Sequence, residues 1–124
     1  MIEHVSEFDE ISNIFAIVKA ISAPIPYNTH HLDHIYRVLK LCQDILNYQS
    51  ASKMVVEAAA CLHDLGRFFE DVNDIHEMIS SRKARELLGE RNWATEMIDQ
   101  TCYAIETHRF SAGQVPTTIE AKIL

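Results

Sequence analysis

The sequence predicts an all-α fold, a bundle of five to six helices. Three glycines and three prolines interrupt the 124 residues, and no strand-like alternation of polar and apolar side chains persists between them. Apolar residues recur instead at helical spacing, as Ile11, Ile14, Phe15 and Val18 do near the start of the chain. The length suits one hydrophobic core, so we expect a single domain over residues 1–124.

Start and stop signals divide the chain into these helices. Pro24 and Pro26 lie just after a first helix that we expect from about residue 7 to about residue 21. Asn28 or Thr29 can cap the second helix, and Ser52 can cap the third. The remaining signals are Asn73 or Asp74 as the start of a fourth helix, Gly89 as its end, Trp93 to His108 as a fifth helix, and the capping-box spacing of Thr117-Thr118-Ile119-Glu120 as the start of a sixth.

The composition limits the partners and the compartment. The formal net charge of −7 argues against nucleic acid and against anionic membrane surfaces, although a small phosphate ligand beside a metal ion is compatible with it. No apolar stretch approaches the ~20 residues of a membrane span. Cys42, Cys61 and Cys102 lie far apart in apolar helical segments, so we expect buried thiols in a reducing cytoplasm.

The most informative stretch is the apolar run from Ala58 to Leu62, which leads directly into His63 and Asp64. We expect this pair on the last turn of a buried helix, with Gly66 as a left-handed C-terminal cap. Burying an ionised carboxylate is unfavourable unless a cation compensates it, and a divalent metal ion would do so. The alternative is a capped helix end with a hydrogen bond between the imidazole and the carboxylate.

Other histidines are expected near this pair. His34 and Arg37 lie three residues apart on one face of the second helix, and antiparallel pairing of the second and third helices would bring that face near His63. His76 and His108 fall at the ends of the fourth and fifth helices. The alternatives are an exposed His76 and a His108 that only interacts with the helix dipole. Imidazole and carboxylate ligands together suit a first-row divalent metal ion.

These residues lie in motifs that resemble those of the HD-domain metal-dependent phosphohydrolases. The motifs are His34-Ile35-Tyr36-Arg37-Val38, Ala60-Cys61-Leu62-His63-Asp64-Leu65-Gly66-Arg67, His76-Glu77 followed by Ser81 and Ala84, Ala104-Ile105-Glu106-Thr107-His108, and the stretch from Pro116 to Leu124. The resemblance extends over nearly the whole chain from Thr29 and implies an HD-like helical bundle. It is greatest to small stand-alone bacterial HD proteins, some of which cleave nucleotide phosphates.

The resemblance also implies a set of metal ligands. His34, His63 and Asp64 match three of the four ligands that hold the family's metal ion. This ion can be Mn, Fe, Co, Ni, Zn or Mg, and the sequence does not distinguish among them. His76 and His108 match positions that help to hold a second metal ion in some dinuclear relatives.

The family's fourth ligand, an aspartate in the last helix, is not among these 124 residues. Three interpretations follow. The chain can be a piece of a longer enzyme, or it can end here and bind metal weakly or not at all. In the third interpretation, His76 and His108 substitute for the missing ligand.

By this resemblance we expect hydrolysis of a phosphate ester, with a nucleotide as the substrate class. A bound divalent ion would activate a water molecule and polarise a phosphoryl oxygen. Asp64 would bridge metal ions or accept a proton from that water. Arg37 and Arg67 would contact the phosphate, because a guanidinium group matches the geometry of phosphate oxygens.

Two other classes of protein are alternatives. One is a catalytically impaired HD-fold protein that acts by binding or assembly because the last metal ligand is absent. The other is a purely structural helical protein in which the histidines never converge. The short sixth helix would leave part of the core uncovered, which favours self-association into a homo-oligomer.

Overall fold

The fold is all-α, as the sequence predicts. The computed structural model describes residues 7–26, 28–69, 76–108 and 116–124, and within these ranges it contains six α-helices, one short 3-10 helix and no strand. The α-helices are α1 (Glu7–Ser22), α2 (Asn28–Leu46), α3 (Lys53–Leu62), α4 (His76–Glu90), α5 (Thr95–Thr107) and α6 (Ile119–Ile123), and the 3-10 helix spans Leu65–Phe68. None of these helices is long and apolar enough to cross a membrane.

Helix α3 lies at the centre of the fold. Its residues from Val55 to Leu62 are all buried, and helices α1, α2 and α5 pack directly against it. The small side chains from Ala58 to Ala60 let the neighbouring helices approach closely. Helix α4 packs on α5 and on the 3-10 helix, and α6 packs on α5 and α3. The described helices therefore share one hydrophobic core.

The three cysteines are buried free thiols, as their apolar surroundings in the sequence predict. Burial is the main reason that the pKa of Cys42 is raised to about 11 and the pKa of Cys61 to about 12. Thiols with such pKa values stay protonated near neutral pH, and they act here as small apolar groups.

The predicted starts of α3 and α6 are connected to each other. Ser52 caps α3 as predicted, because its hydroxyl accepts a hydrogen bond from the amide three residues later at 3.4 Å. Helix α6 is capped by Thr118, whose hydroxyl likewise accepts from the third amide that follows. Glu120 does not complete the predicted capping box, because its carboxylate accepts a hydrogen bond from the Ser52 amide at 2.9 Å. The starts predicted at Asn73 and Asp74 lie outside the described residues.

The role predicted for Gly66 is wrong. This residue does not cap α3 in the left-handed region but lies within the 3-10 helix. Its small size is needed for close packing on α4. A Cβ atom here would lie 2.6 Å from the carbonyl oxygen of His76 and 2.9 Å from the amide nitrogen of Ser80. The amide of Gly66 also donates a hydrogen bond of 2.7 Å to the Ser80 hydroxyl.

The prediction that Gly89 ends the fourth helix is also wrong, because α4 continues past it. The left-handed residue after α4 is Asn92, with a φ of 62°. The Asn92 amide donates to the carbonyl of Gly89 and the Trp93 amide to that of Leu88, which together form a Schellman motif. This turn includes Trp93, so α5 begins at Thr95 rather than at the predicted tryptophan.

Helix α1 is attached to the corner between α4 and α5 by a cluster of polar side chains. Glu10 accepts hydrogen bonds from the Arg91 guanidinium at 3.0 Å and from the Trp93 indole at 2.7 Å. Only 14% of the Glu10 side chain is exposed, so the solvent weakens these interactions little. The hydrogen bond from Arg91 is the main reason that the pKa of Glu10 is lowered.

We expect Gly66→Ala to destabilise the fold and Gly89→Ala to stabilise it. The methyl group added at 66 would meet backbone atoms of α4, and overpacking of this kind typically costs ~1–3 kcal/mol. At 89 no atom lies within 4 Å of the added Cβ, and alanine is favoured over glycine inside a helix by ~0.5–1 kcal/mol. Urea unfolding of both variants measures the two changes. If Gly66→Ala were as stable as Gly89→Ala, the close approach to α4 would have no energetic consequence.

We expect Glu10→Gln to lower the free energy of unfolding by ~1.5–3 kcal/mol near neutral pH, because hydrogen bonds to a charged group contribute about that much. The folded-state pKa of Glu10 lies below its usual 4.5, so its carboxylate stabilises the fold above that pH. This contribution is lost as the pH falls through the folded-state pKa. The stability difference between the two proteins should therefore shrink below about pH 4.5, as followed by urea unfolding at several pH values. A difference that does not change with pH would exclude the charge of Glu10 as its cause.

Candidate metal centre

The candidate site forms at the C-terminal end of α3. His63 is the C-cap residue of this helix and Asp64 follows it, so the two polar side chains come directly after the buried apolar run. Nδ1 of His63 donates a hydrogen bond to the carbonyl oxygen of Ala60 at 2.7 Å. This bond assigns the proton of the neutral ring to Nδ1 and leaves a lone pair on Nε2.

His34 from α2 joins this pair. Its Nε2 lies 3.3 Å from Oδ2 of Asp64 and 3.4 Å from Nε2 of His63. The same Oδ2 lies 3.5 Å from Nε2 of His63, so the three atoms form a nearly equilateral triangle. Within the ranges that the structure describes, these three residues are the one group of histidine, cysteine and acidic side chains that could hold a metal ion.

The donor set fits a divalent first-row metal ion. Neighbouring ligand atoms lie about 3.3–3.6 Å apart around a tetrahedral ion with bonds of about 2.0–2.2 Å, and all three sides of the triangle have such a length. Two imidazoles and one carboxylate on one side of an ion are typical of transition-metal sites with open positions. The His34 side chain is 48% exposed, so the site is open to solvent from the side of α2.

The electrostatics of the site favour the protonation states that bind metal. Burial lowers the pKa of His63, so its imidazole is neutral near neutral pH. Burial acts to raise the pKa of Asp64, but His63, Arg67 and His34 together lower it below its usual value. A neutral imidazole and an ionised carboxylate can bind a cation without first losing a proton.

Arg67 forms an ion pair with Asp64, a contact that was not predicted. Its Nε lies 3.3 Å from Oδ1 of Asp64, whereas Oδ2 faces the two histidines. The signal that could have revealed this contact is the spacing of three residues between an acidic and a basic side chain. Arg37 is exposed on α2, one turn after His34. Arg67 therefore belongs to the immediate surroundings of the cluster.

His108 lies beside the cluster, whereas His76 does not join it. His108 is the C-cap residue of α5, and its ring meets that of His63 edge to face with 5.0 Å between the centroids. Nδ1 of His108 donates to the carbonyl of Ile105, three residues earlier, which repeats the pattern of His63. His76 is exposed at the first residue of α4, and its imidazole is not part of the ligand group.

Ser80 is a further residue near the site that sequence reasoning missed. It is fully buried on α4, and its hydroxyl accepts the hydrogen bond from the Gly66 amide, two residues after Asp64. Ser80 thereby holds the backbone that follows the ligand pair against α4. No local pattern indicates this role, because the contact joins residues 14 positions apart.

The comparison with known families agrees with this geometry. A family model of the HD domain matches residues 32–124, which is well over half of the chain and includes the whole cluster. The chain belongs to the HD-domain family. No curated protein and no solved structure matches this HD-domain chain. Helix α1 lies before the matched region, so its attachment through Glu10 is a property of this chain that the family match does not describe.

We expect Zn²⁺ or Co²⁺ to raise the thermal midpoint of the HD-domain chain, and His34→Ala to abolish the increase. A ligand at ~100 times its Kd stabilises a protein by ~2.7 kcal/mol, so differential scanning calorimetry will resolve the effect. Because His34 is half exposed, its removal should change the midpoint of the metal-free protein little. His30→Ala is the matched control, since it removes an exposed histidine one turn earlier on α2. An undiminished increase in His34→Ala would place the bound ion elsewhere.

Proposed function

We propose that this HD-domain chain is a metal-dependent phosphohydrolase that cleaves a phosphate ester, and that nucleotides are its substrate class. The observation that carries the proposal is the triangle of ligand atoms from His34, His63 and Asp64 in an open site. Three protein ligands leave positions for water and for a substrate oxygen, as in catalytic rather than structural metal sites. Membership of the family supports the reaction class, and the resemblance to nucleotide-cleaving HD proteins supports the substrate class.

In this proposal the three side chains would hold the metal ion at a fixed position. When bound, a divalent ion lowers the pKa of water, polarises a phosphoryl oxygen and orients the ester. His63 presents Nε2 because its Nδ1 is bonded to the Ala60 carbonyl, and such a second bond increases the metal affinity of an imidazole. Asp64 presents Oδ2 because Arg67 interacts with its Oδ1.

Asp64 is better suited to binding metal than to taking up a proton. Its pKa is lowered despite burial, because cationic and imidazole neighbours favour the ionised carboxylate. A carboxylate with a lowered pKa is a weaker base, so its ability to accept a proton from an attacking water is reduced. We therefore favour the role of metal ligand over the role of general base.

Arg67 and Arg37 are the proposed phosphate contacts. The Arg67 side chain is 38% exposed and meets Asp64 through Nε, so its terminal nitrogens are available to phosphate oxygens. Arg37 is exposed on α2 near His34. His76 and His108 are proposed to bind a second metal ion or to supply a fourth ligand to the first. The contact between the His108 and His63 rings supports this role for His108.

The alternative is an HD-fold protein with little or no activity that acts by binding or assembly. It is supported by the three-membered cluster within the described residues, because three protein ligands hold a metal ion less tightly than four. Self-association would use exposed apolar residues on α2 and just after it. Leu41 and Ile45 of α2 are 62% and 42% exposed, and Tyr48, in the turn that follows α2, is 93% exposed. A cytoplasmic location stays a prediction, and the buried free thiols are consistent with it.

Hydrolysis assays with added Mn²⁺ test the proposal, using nitrophenyl phosphate and a panel of nucleotides. We expect metal-dependent phosphate or pyrophosphate release that falls at least ~100-fold in His34→Ala, because a metal ligand is removed, and is retained in His30→Ala. Arg67→Lys should reduce the rate less, since lysine keeps the charge but not the forked geometry.

Metal binding by calorimetry without hydrolysis of any substrate would support the impaired HD-fold protein instead. A protein that shows neither metal binding nor hydrolysis would contradict the metal-dependent phosphohydrolase and would likewise favour the HD-fold protein that acts by binding or assembly.

A further inference from the structure

A stripe of exposed side chains runs along the side of α2 that faces away from α3. The inward side of α2 packs on α3 and includes three buried residues, Ile35, Leu39 and Cys42. The exposed stripe follows the helical spacing of three or four residues on the opposite side. We call it the outer stripe, and it consists of Arg37, Leu41, Asp44 and Ile45.

The middle of the outer stripe is apolar. Leu41 and Ile45 are large hydrophobic side chains with much of their surface exposed, and Tyr48 continues this surface in the turn after α2. Single exposed apolar residues are common in folded proteins, whereas a contiguous group of them marks an interaction surface. None of these residues belongs to the metal-ligand cluster. A partner that covers them removes their apolar surface from water, which favours association.

The charges of the outer stripe determine which partner surface fits it. Arg37 and Asp44 are both exposed, and they lie on the same margin of the stripe because seven residues complete nearly two helical turns. This separation corresponds to about 10.5 Å along the helix axis, which is too far for an ion pair within one chain. Among the residues that the structure describes, neither side chain has an ion-pair partner. A complementary surface therefore carries an acidic group opposite Arg37 and a basic group opposite Asp44.

A second copy of α2 in antiparallel orientation has this arrangement of charges. A two-fold axis that passes between the two helices, level with residues 40 and 41, reverses the chain direction but keeps each margin on its own side. It therefore places Arg37 of each copy beside Asp44 of the other, and it brings the two Leu41 side chains together at the axis. A parallel pair would instead place like charges opposite each other, which is unfavourable.

We propose that the outer stripe is a self-association surface on which two copies of the chain pair through antiparallel α2 helices. The two Leu41 side chains form the apolar centre, and two ion pairs between Arg37 and Asp44 flank it. Such a two-fold contact closes on itself and yields a dimer rather than a filament. Helix α2 has 19 residues and is about 28 Å long, so one helix pair buries less than the ~1,200 Å² of a standard interface, and the dimer is reversible.

Sedimentation velocity of the metal-free 124-residue chain over ~10–500 μM tests the proposal, at ~0.15 M salt so that repulsion between the two net charges is screened. We expect a monomer–dimer equilibrium. Arg37→Asp and Asp44→Arg should each weaken the dimer at least ~tenfold, because like charges then face each other twice. The double variant exchanges the two charges across the axis, so its dimer affinity should return to within about threefold of the unmodified chain.

Leu41→Asp should abolish the dimer over the same range, because two carboxylates would meet at the axis. Met78→Asp is the matched control, since it adds the same charge at an exposed apolar residue of α4 and should change the dimer affinity less than about twofold.

A chain that stays monomeric at every concentration would overturn the proposal and leave the outer stripe to a partner of other chemistry. A dimer that persists in Leu41→Asp, or a double charge variant that fails to pair, would overturn it as well. No metal ion or substrate is present in these measurements, so their outcome is independent of the proposed hydrolase activity.

Discussion

The structure depends on the burial of α3 from Val55 to its C-terminal end at Leu62. A helix surrounded by others must still satisfy its last carbonyl groups where it ends, because water does not reach them freely. His63 satisfies one of these carbonyls through Nδ1, and Asp64 is stabilised by Arg67. The polar cluster thus forms where the buried helix ends. His63 and Asp64 also present an unprotonated nitrogen and a carboxylate oxygen, both able to bind a metal ion, to the space beyond the end of α3.

The ends of two helices concentrate negative potential at this point. Helices α3 and α5 pack against each other, and each ends in a histidine whose ring contacts the other. The C-terminal end of a helix carries a partial negative charge that favours cations within about the last turn. Two such ends, together with the Asp64 carboxylate, make the site attractive to a positive ion. The net charge of the whole chain contributes in the same direction.

Local sequence signals predicted the helices and most of the cluster. Helical periodicity and the Ser52 cap depend on residues close together in the chain, so they are readable without a structure. The convergence of His34 with His63 was also predictable, because a short connection makes consecutive helices neighbours. The roles of Gly66 and Glu120 were not, because each depends on contact with a residue far along the chain. Glu57 resembles an ordinary polar position of α3, and only the packing of α1 and α2 shows that it is buried.

The attachment of α1 has a consequence for how the chain folds during synthesis. Arg91 lies 81 residues after Glu10, so α1 is synthesised well before the side chains that attach it to the corner between α4 and α5. At ~5–20 residues per second, Glu10 waits roughly 4–16 s before the corner that holds it exists. Until then α1 can pack on α3 but lacks the polar contacts that attach it to the corner between α4 and α5.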